Sequence, residues 1–237
     1  MPSLGRVKTS LVTPGALLLA LPPLLGACAH DTYQPAPARV EAPTGQVAFE
    51  DCELVEGGSV PSDFPRGSLA AAGPGEHKLA CGLSTQLAAL GEPSLFPVPQ
   101  TAEVYRVLWL RFDGHPVSVR FERQGTTGQV RGAQTSGKGF AAPGDLLEEA
   151  SSALSPEAAN DLLTRVEAAR FWGPPSPPPA EVQIAERGST WVFEGVRGGQ
   201  YRVRVFQRET LARDPAYSAL ARALVGGSGL HIQGAVY

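Results

Sequence analysis

The segment Gly132-Ala133-Gln134-Thr135-Ser136-Gly137-Lys138-Gly139 comes within one residue of a phosphate-binding loop. Such a loop needs Ser or Thr after its lysine to hold magnesium, and Gly139 stands there instead. It must also open a helix whose N-terminal amides face the phosphates. Phe140, Ala141, Ala142, Pro143 and Gly144 follow, and they cannot form a first helical turn. The segment reads as a glycine-rich loop, and neither a nucleotide nor any other cofactor is expected.

The other reactive residue types do not assemble into a site either. The four histidines are His30, His77, His115 and His231, and no two of them stand four residues apart. Zinc chemistry therefore lacks a ligand set. His115, beside Asp113, reads either as a general base or as a solvated turn residue. Ser228 follows Gly226-Gly227, but a nucleophile elbow would need glycine where Leu230 stands. Glu148 and Glu149 are adjacent, whereas glycosidase acids converge from separate elements. One constellation remains. Outward strand positions hold Arg120, Arg202 and Arg204, with Glu122 and Glu194 among them. This is either a sheet face that binds an anion or a partner, or a solvated face with cross-strand ion pairs worth roughly a few tenths of a kcal/mol each.

Strands must position these arginines. Val104 to Phe112 is apolar on both faces, as a central strand requires, and Asp113-Gly114 is a turn pair. Pro116 to Gln124 alternates, with Val117, Val119 and Phe121 inward and Ser118, Arg120 and Glu122 outward. A weaker strand covers about 128–134. Ser155-Pro156-Glu157 starts a helix with Ala159, Leu162, Leu163, Val166 and Ala169 at helical spacing. The prolines of 174–179 follow as a stiff loop. The chain from 189 to 207, turning at Arg197-Gly198-Gly199-Gln200, is the strongest hairpin signal. By period 2, Trp191 and Phe193 share its core face with Tyr201, Val203 and Val205, leaving Glu194, Arg202 and Arg204 to project the other way. Asp214-Pro215 opens a last helix carrying Tyr217, Leu220, Ala221 and Leu224. A short helix is also expected from Ala80 to Leu90. The expected fold is α+β: an antiparallel sheet of about five strands with two main helices packed on one face, in the order β-β-β-α-loop-β-β-α.

Several of these pieces resemble a family of uncharacterised bacterial proteins. They are Ala102 to Arg111, His115 to Arg120, Phe171-Trp172, Trp191 to Tyr201, and the closing Tyr217, Leu220, Leu224, Gly229 and Leu230. The matching residues belong to strands, turns and packing, so the resemblance implies a fold and no reaction.

The N-terminus carries an address. Arg6 and Lys8 precede a mostly apolar run from Leu11 to Ala27 with no acid among them. Pro14, Pro22 and Pro23 interrupt that run, which does not suit a spanning helix. It ends Leu25-Gly26-Ala27-Cys28, and this resembles the lipobox of bacterial lipoproteins. The resemblance implies cleavage before Cys28 and lipid on that cysteine, since two or three acyl chains hold a membrane stably where one does not. Ordinary secretion with cleavage near Ala27 or Ala29 is the alternative. Ala29 rather than Asp follows the cysteine, which by the same resemblance implies the outer membrane with the domain facing the periplasm; inner-membrane anchoring or secretion are the other outcomes.

Of the 237 residues, 27 are Gly and 22 are Pro, and the formal charge is −3 with no basic tract, so a nucleic-acid partner is not expected. The chain divides into a signal peptide (1–27), a Pro/Ala-rich tether (28–45), a loop-rich subregion (46–100) and the α+β core (101–237). With Cys28 lipidated, Cys52 and Cys81 remain, and an oxidising compartment favours their pairing over free thiols or a redox pair. Closing that loop stabilises by roughly 3–4 kcal/mol. The functional expectation is a lipid-anchored, non-enzymatic binding or accessory module, held to a membrane through Cys28 and to an envelope protein or envelope component through its domain. A periplasmic hydrolase is the alternative.

Overall fold

The computed structural model describes residues 50–53, 58–97, 101–174 and 188–234. Cys28, the apolar leader, the tether and most of the proline run lie outside these residues. Two short strands, β1 (Cys52–Glu53) and β2 (Ser59–Val60), pair with each other, and a six-residue 3-10 turn (Ala70–Gly75) leads into α1 (Glu76–Ala89). Then come β3 (Glu103–Leu110), β4 (Val117–Gln124), β5 (Thr127–Thr135), β6 (Leu146–Leu154) and α2 (Pro156–Ala168). β7 (Thr190–Arg197), β8 (Gln200–Gln207), α3 (Arg208–Ala212) and α4 (Pro215–Gly227) complete the described chain. β3 to β8 form one antiparallel sheet in the order β6-β5-β4-β3-β7-β8.

The central strands of the sheet are buried on both faces. One face sets Tyr105, Val107 and Trp109 of β3 beside Val117, Val119 and Phe121 of β4 and Trp191 and Phe193 of β7, under α2 and α4. Trp109 and Trp191 stack here with ring centroids 4.4 Å apart. The opposite face carries Val104, Leu108, Val192, Val196 and Tyr201, and receives Leu79, Leu83 and Leu87 of α1 and Leu90 that caps it, together with Phe64. This second layer explains why β3 is apolar at successive positions: each side of it meets a helix layer.

The α+β class stands, with three corrections. The sheet has six strands rather than about five, and β6 is the one the sequence reading left out. Leu146 to Leu154 shows no alternation because an edge strand with most of its side chains in solvent is under no pressure to alternate. Helices cover both faces rather than one, since α1 runs from Glu76 to Ala89 and its leucines are buried against the sheet. The hairpin register also differs. Trp191 opposes Phe206 and Val196 opposes Tyr201, so Trp191 and Tyr201 sit on opposite faces, each in a core. Period 2 holds along each strand; what it could not tell was that both faces are buried.

Local signals held where the chemistry is local. Ser155 Oγ accepts from the Ala158 amide at the start of α2, and Asp214 Oδ1 accepts from the Ala216 and Tyr217 amides at the start of α4. Gly198 and Gly199, both at positive φ, make the β7–β8 turn. Cys52 and Cys81 form the disulfide, with Cα atoms 5.2 Å apart, and so tie β1 to α1. No helix among the described residues is long and apolar enough to cross a membrane.

Truncating Trp191 to Ala removes a 1% exposed ring from the centre of the α2/α4 core. We expect this to cost about 3–5 kcal/mol in a urea melt. A melt that superimposes on wild type would mean the ring is not part of the core.

Candidate functional site

The sheet face under α1 carries a row of charge. Arg131, Arg120 and Arg106 oppose one another on β5, β4 and β3, and the row continues into Glu194 on β7. Glu92 meets all three arginines. Its Oε1 accepts from Arg131 NH1 at 2.6 Å, its Oε2 accepts from Arg120 Nε at 3.0 Å, and Arg106 NH1 lies 3.6 Å from Oε2. The side chains of Arg106, Glu92 and Glu194 have 0% exposure, and those of Arg120 and Arg131 have 17% and 13%.

Glu92 is delivered by the end of α1. The Gly91 amide donates to the Ala88 carbonyl and the Glu92 amide donates to the Leu87 carbonyl. This is the Schellman pattern, closed by Gly91 at φ +66°. A Cβ on Gly91 would lie 3.0 Å from Arg131 NH2, which itself donates to the Leu90 carbonyl at 3.0 Å. Glycine is needed here for both φ and space.

Deeper in, Arg106 donates twice to Glu194 Oε2, at 2.9 and 2.7 Å, and once to the Pro93 carbonyl at 2.7 Å. Tyr201 donates to Glu194 Oε1 at 2.7 Å. Burial, and then the Glu194 charge beside it, push the Tyr201 phenol well above its ordinary value, so it remains a donor. Burial likewise pushes the Asp63 carboxyl up to about 6; Arg106 offsets part of that rise, while Glu194 and Glu92 add to it. At the open end, Arg120 also pairs with Glu122 at 3.0 Å and Arg131 with Glu149 at 2.9 Å.

Each guanidinium in this row already faces a carboxylate, so an incoming anion would have to displace one. The depression at its open end, lined by Arg120, Glu122, Gln129, Arg131 and Ser151, holds about 60 Å³. Small-molecule sites hold roughly 300–1,000 Å³. The arrangement is built to fix α1 to the sheet.

The three arginines singled out from the sequence do not share a face. Arg120 lies in the row under α1, whereas Arg202 and Arg204 oppose Gly195 and Phe193 on the α2/α4 face. There they bind the turn after α2: Arg202 donates to the Phe171 and Gly173 carbonyls, and Arg204 donates to Gly173 at 2.7 Å. Glu194, expected to project outward beside them, is buried on the opposite face. The sequence reading missed Arg106, Arg131, Glu92 and Asp63. The signal available was Arg106 itself, a charge in the middle of a strand whose other residues from Val104 to Leu110 are apolar or aromatic.

The remaining candidates have ordinary partners. His115 Nδ1 lies 3.2 Å from the Gly137 carbonyl, His231 pairs with Glu148 at 2.7 Å, and Ser228 is a buried cap donating to the Val225 carbonyl at 2.6 Å. The glycine-rich segment begins as the end of β5, and the Gly137 amide is held by the Pro143 carbonyl at 2.8 Å. The ligating atoms of His77, Cys52 and Cys81 lie within 4.8 Å of one another, but the sulfurs are joined and offer no thiolate.

Replacing Glu92 by Gln leaves three guanidinium groups around a neutral amide. We expect a loss of about 3–5 kcal/mol by chemical denaturation. Asp63 behaves in the opposite sense. Its folded value near 6 lies above the 3.8 of the ordinary carboxyl, so the folded state holds the proton more tightly and stability falls as pH rises from about 4 to 6. Asp63→Asn should therefore gain stability relative to wild type at pH 7.5, by up to about 3 kcal/mol, and lose that advantage at pH 4. Equal effects at both pH values would contradict the assignment.

No protein-family model, curated protein or solved structure matches this chain.

Proposed function

We propose that this chain is a lipid-anchored cell-envelope protein whose α+β domain serves as a non-enzymatic binding or accessory module, attached to the outer membrane through Cys28 and facing the periplasm. The observation that carries this reading is the ordered series of Arg6 and Lys8, the apolar run, and Leu25-Gly26-Ala27-Cys28. The Cys52–Cys81 disulfide supports an oxidising compartment. The charge row supports a module without chemistry, because its carboxylates and guanidinium groups are bound to one another rather than aimed into a cleft. The partner is an envelope protein or another envelope component.

The test is membrane fractionation of the full chain and its Cys28→Ser variant. Wild type should sediment with membranes and resist a carbonate wash, and the variant should appear in the soluble periplasmic fraction. A variant that still sediments after the wash contradicts the lipid anchor.

A further inference from the structure

The sheet ends at β6, and among the described residues nothing pairs with its outer side. Natural edges are usually blunted by Lys, Pro or a very short strand. β6 is nine residues long and contains no Lys, Arg or Pro; its pairing with β5 shifts by one between Gln134 and Thr135, which bulges it at Leu147, and it is regular from Glu148 to Leu154. Leu146 and Leu147 at its start are 46% and 53% exposed.

The residues of β6, Leu-Leu-Glu-Glu-Ala-Ser-Ser-Ala-Leu, nearly mirror themselves about Ala150. We propose that two copies of this chain join through β6, antiparallel, with Ala150 opposite the second copy's Ala150. In that register Glu148 faces Ser152 and Glu149 faces Ser151, all within the regular part of β6, and the bulged Leu146-Leu147 end comes in beside Ala153 and Leu154. In the middle, four serine hydroxyls stand where they can donate to four carboxylates across the strands.

Charge selects the register. Moving it one residue toward the N-terminus sets Glu149 against Glu149, and like charges directly opposite are destabilising. Moving it one residue the other way sets Glu148 against Leu154. In the proposed register no acid faces an acid. Glu149 is also already paired with Arg131, and Glu148 with His231. The two-fold axis passes through Ala150 perpendicular to the sheet, so the two six-stranded sheets become one and α2 and α4 of both copies share a face. The junction is isologous, the closed form that dimers favour.

The test is cysteine cross-linking in the full chain, in membranes, read on a non-reducing gel. Directly opposed antiparallel residues lie about 4.5–5.5 Å apart, within disulfide reach. Ala150→Cys should therefore give a band at twice the monomer mass on mild oxidation. Ala153→Cys should give none, because the two copies of that residue lie six positions apart along the strands, whereas the Glu148→Cys/Ser152→Cys pair, directly opposed in the regular part of β6, should cross-link. Ser152→Glu, which sets acid against acid, should remove the Ala150→Cys band, and Ser152→Lys should keep it. Absence of the Ala150→Cys band overturns the proposal. So do equal bands from Ala150→Cys and Ala153→Cys, which would mark random collision, or a band at another mass, which would mark a different occupant.

Discussion

The buried carboxylate of Glu92 is the constraint around which the rest of this domain is arranged. Taking an ion out of water costs several kcal/mol even after relaxation, and only close, hydrogen-bonded partners offset it. Glu92 has two, Arg120 and Arg131, with the Arg106 charge 3.6 Å away as a third, one on each of three adjacent strands. That demand fixes the in-register row of Arg106, Arg120 and Arg131, and hence the pairing of β3, β4 and β5. It also fixes where α1 must end, because the glycine-closed turn at Gly91 aims the carboxylate at the row.

The two sheet faces are held by different physics. Under α2 and α4 the contact is aromatic and aliphatic, centred on Trp109, Trp191, Phe193 and Tyr217. Such a core is tolerant in direction and gains mainly from area removed from water. Under α1 the leucines supply area, and the charge row supplies position, since a guanidinium–carboxylate contact works only over a narrow range of distance and angle. The disulfide extends that layer by joining β1 to α1. The result is a sheet whose row of buried charges is occupied in holding α1 to it, with β6 left at its edge.

Elements whose cause lies within a few residues were legible in the sequence. The caps at Ser155 and Asp214, the glycine turn at 198–199 and the central strand β3 all follow from local chemistry. The disulfide was legible from the count of cysteines together with the oxidising compartment that the leader leads one to expect. What escaped needed knowledge of contacts distant in sequence. β6 is defined by backbone pairing to β5 rather than by its side chains. Glu194 looked outward only while one face of the hairpin was taken to be solvent; with α1 layered on that face, the same alternation buries it. The arginines were visible singly, but Arg120 joins Arg106 and Arg131 rather than Arg202 and Arg204, because strand order and not sequence order decides which side chains meet.

Native-state hydrogen exchange tests the central role of Glu92 most directly. If the carboxylate fastens α1 to the sheet, the amides of Leu83 and Leu87 exchange in wild type only through the same opening that exposes Val107 and Trp109 of β3. In Glu92→Gln, the α1 amides should then exchange by a separate, easier opening while β3 stays protected. Early, independent exchange of α1 in the wild-type protein, or α1 protection unchanged by Glu92→Gln, would contradict the account.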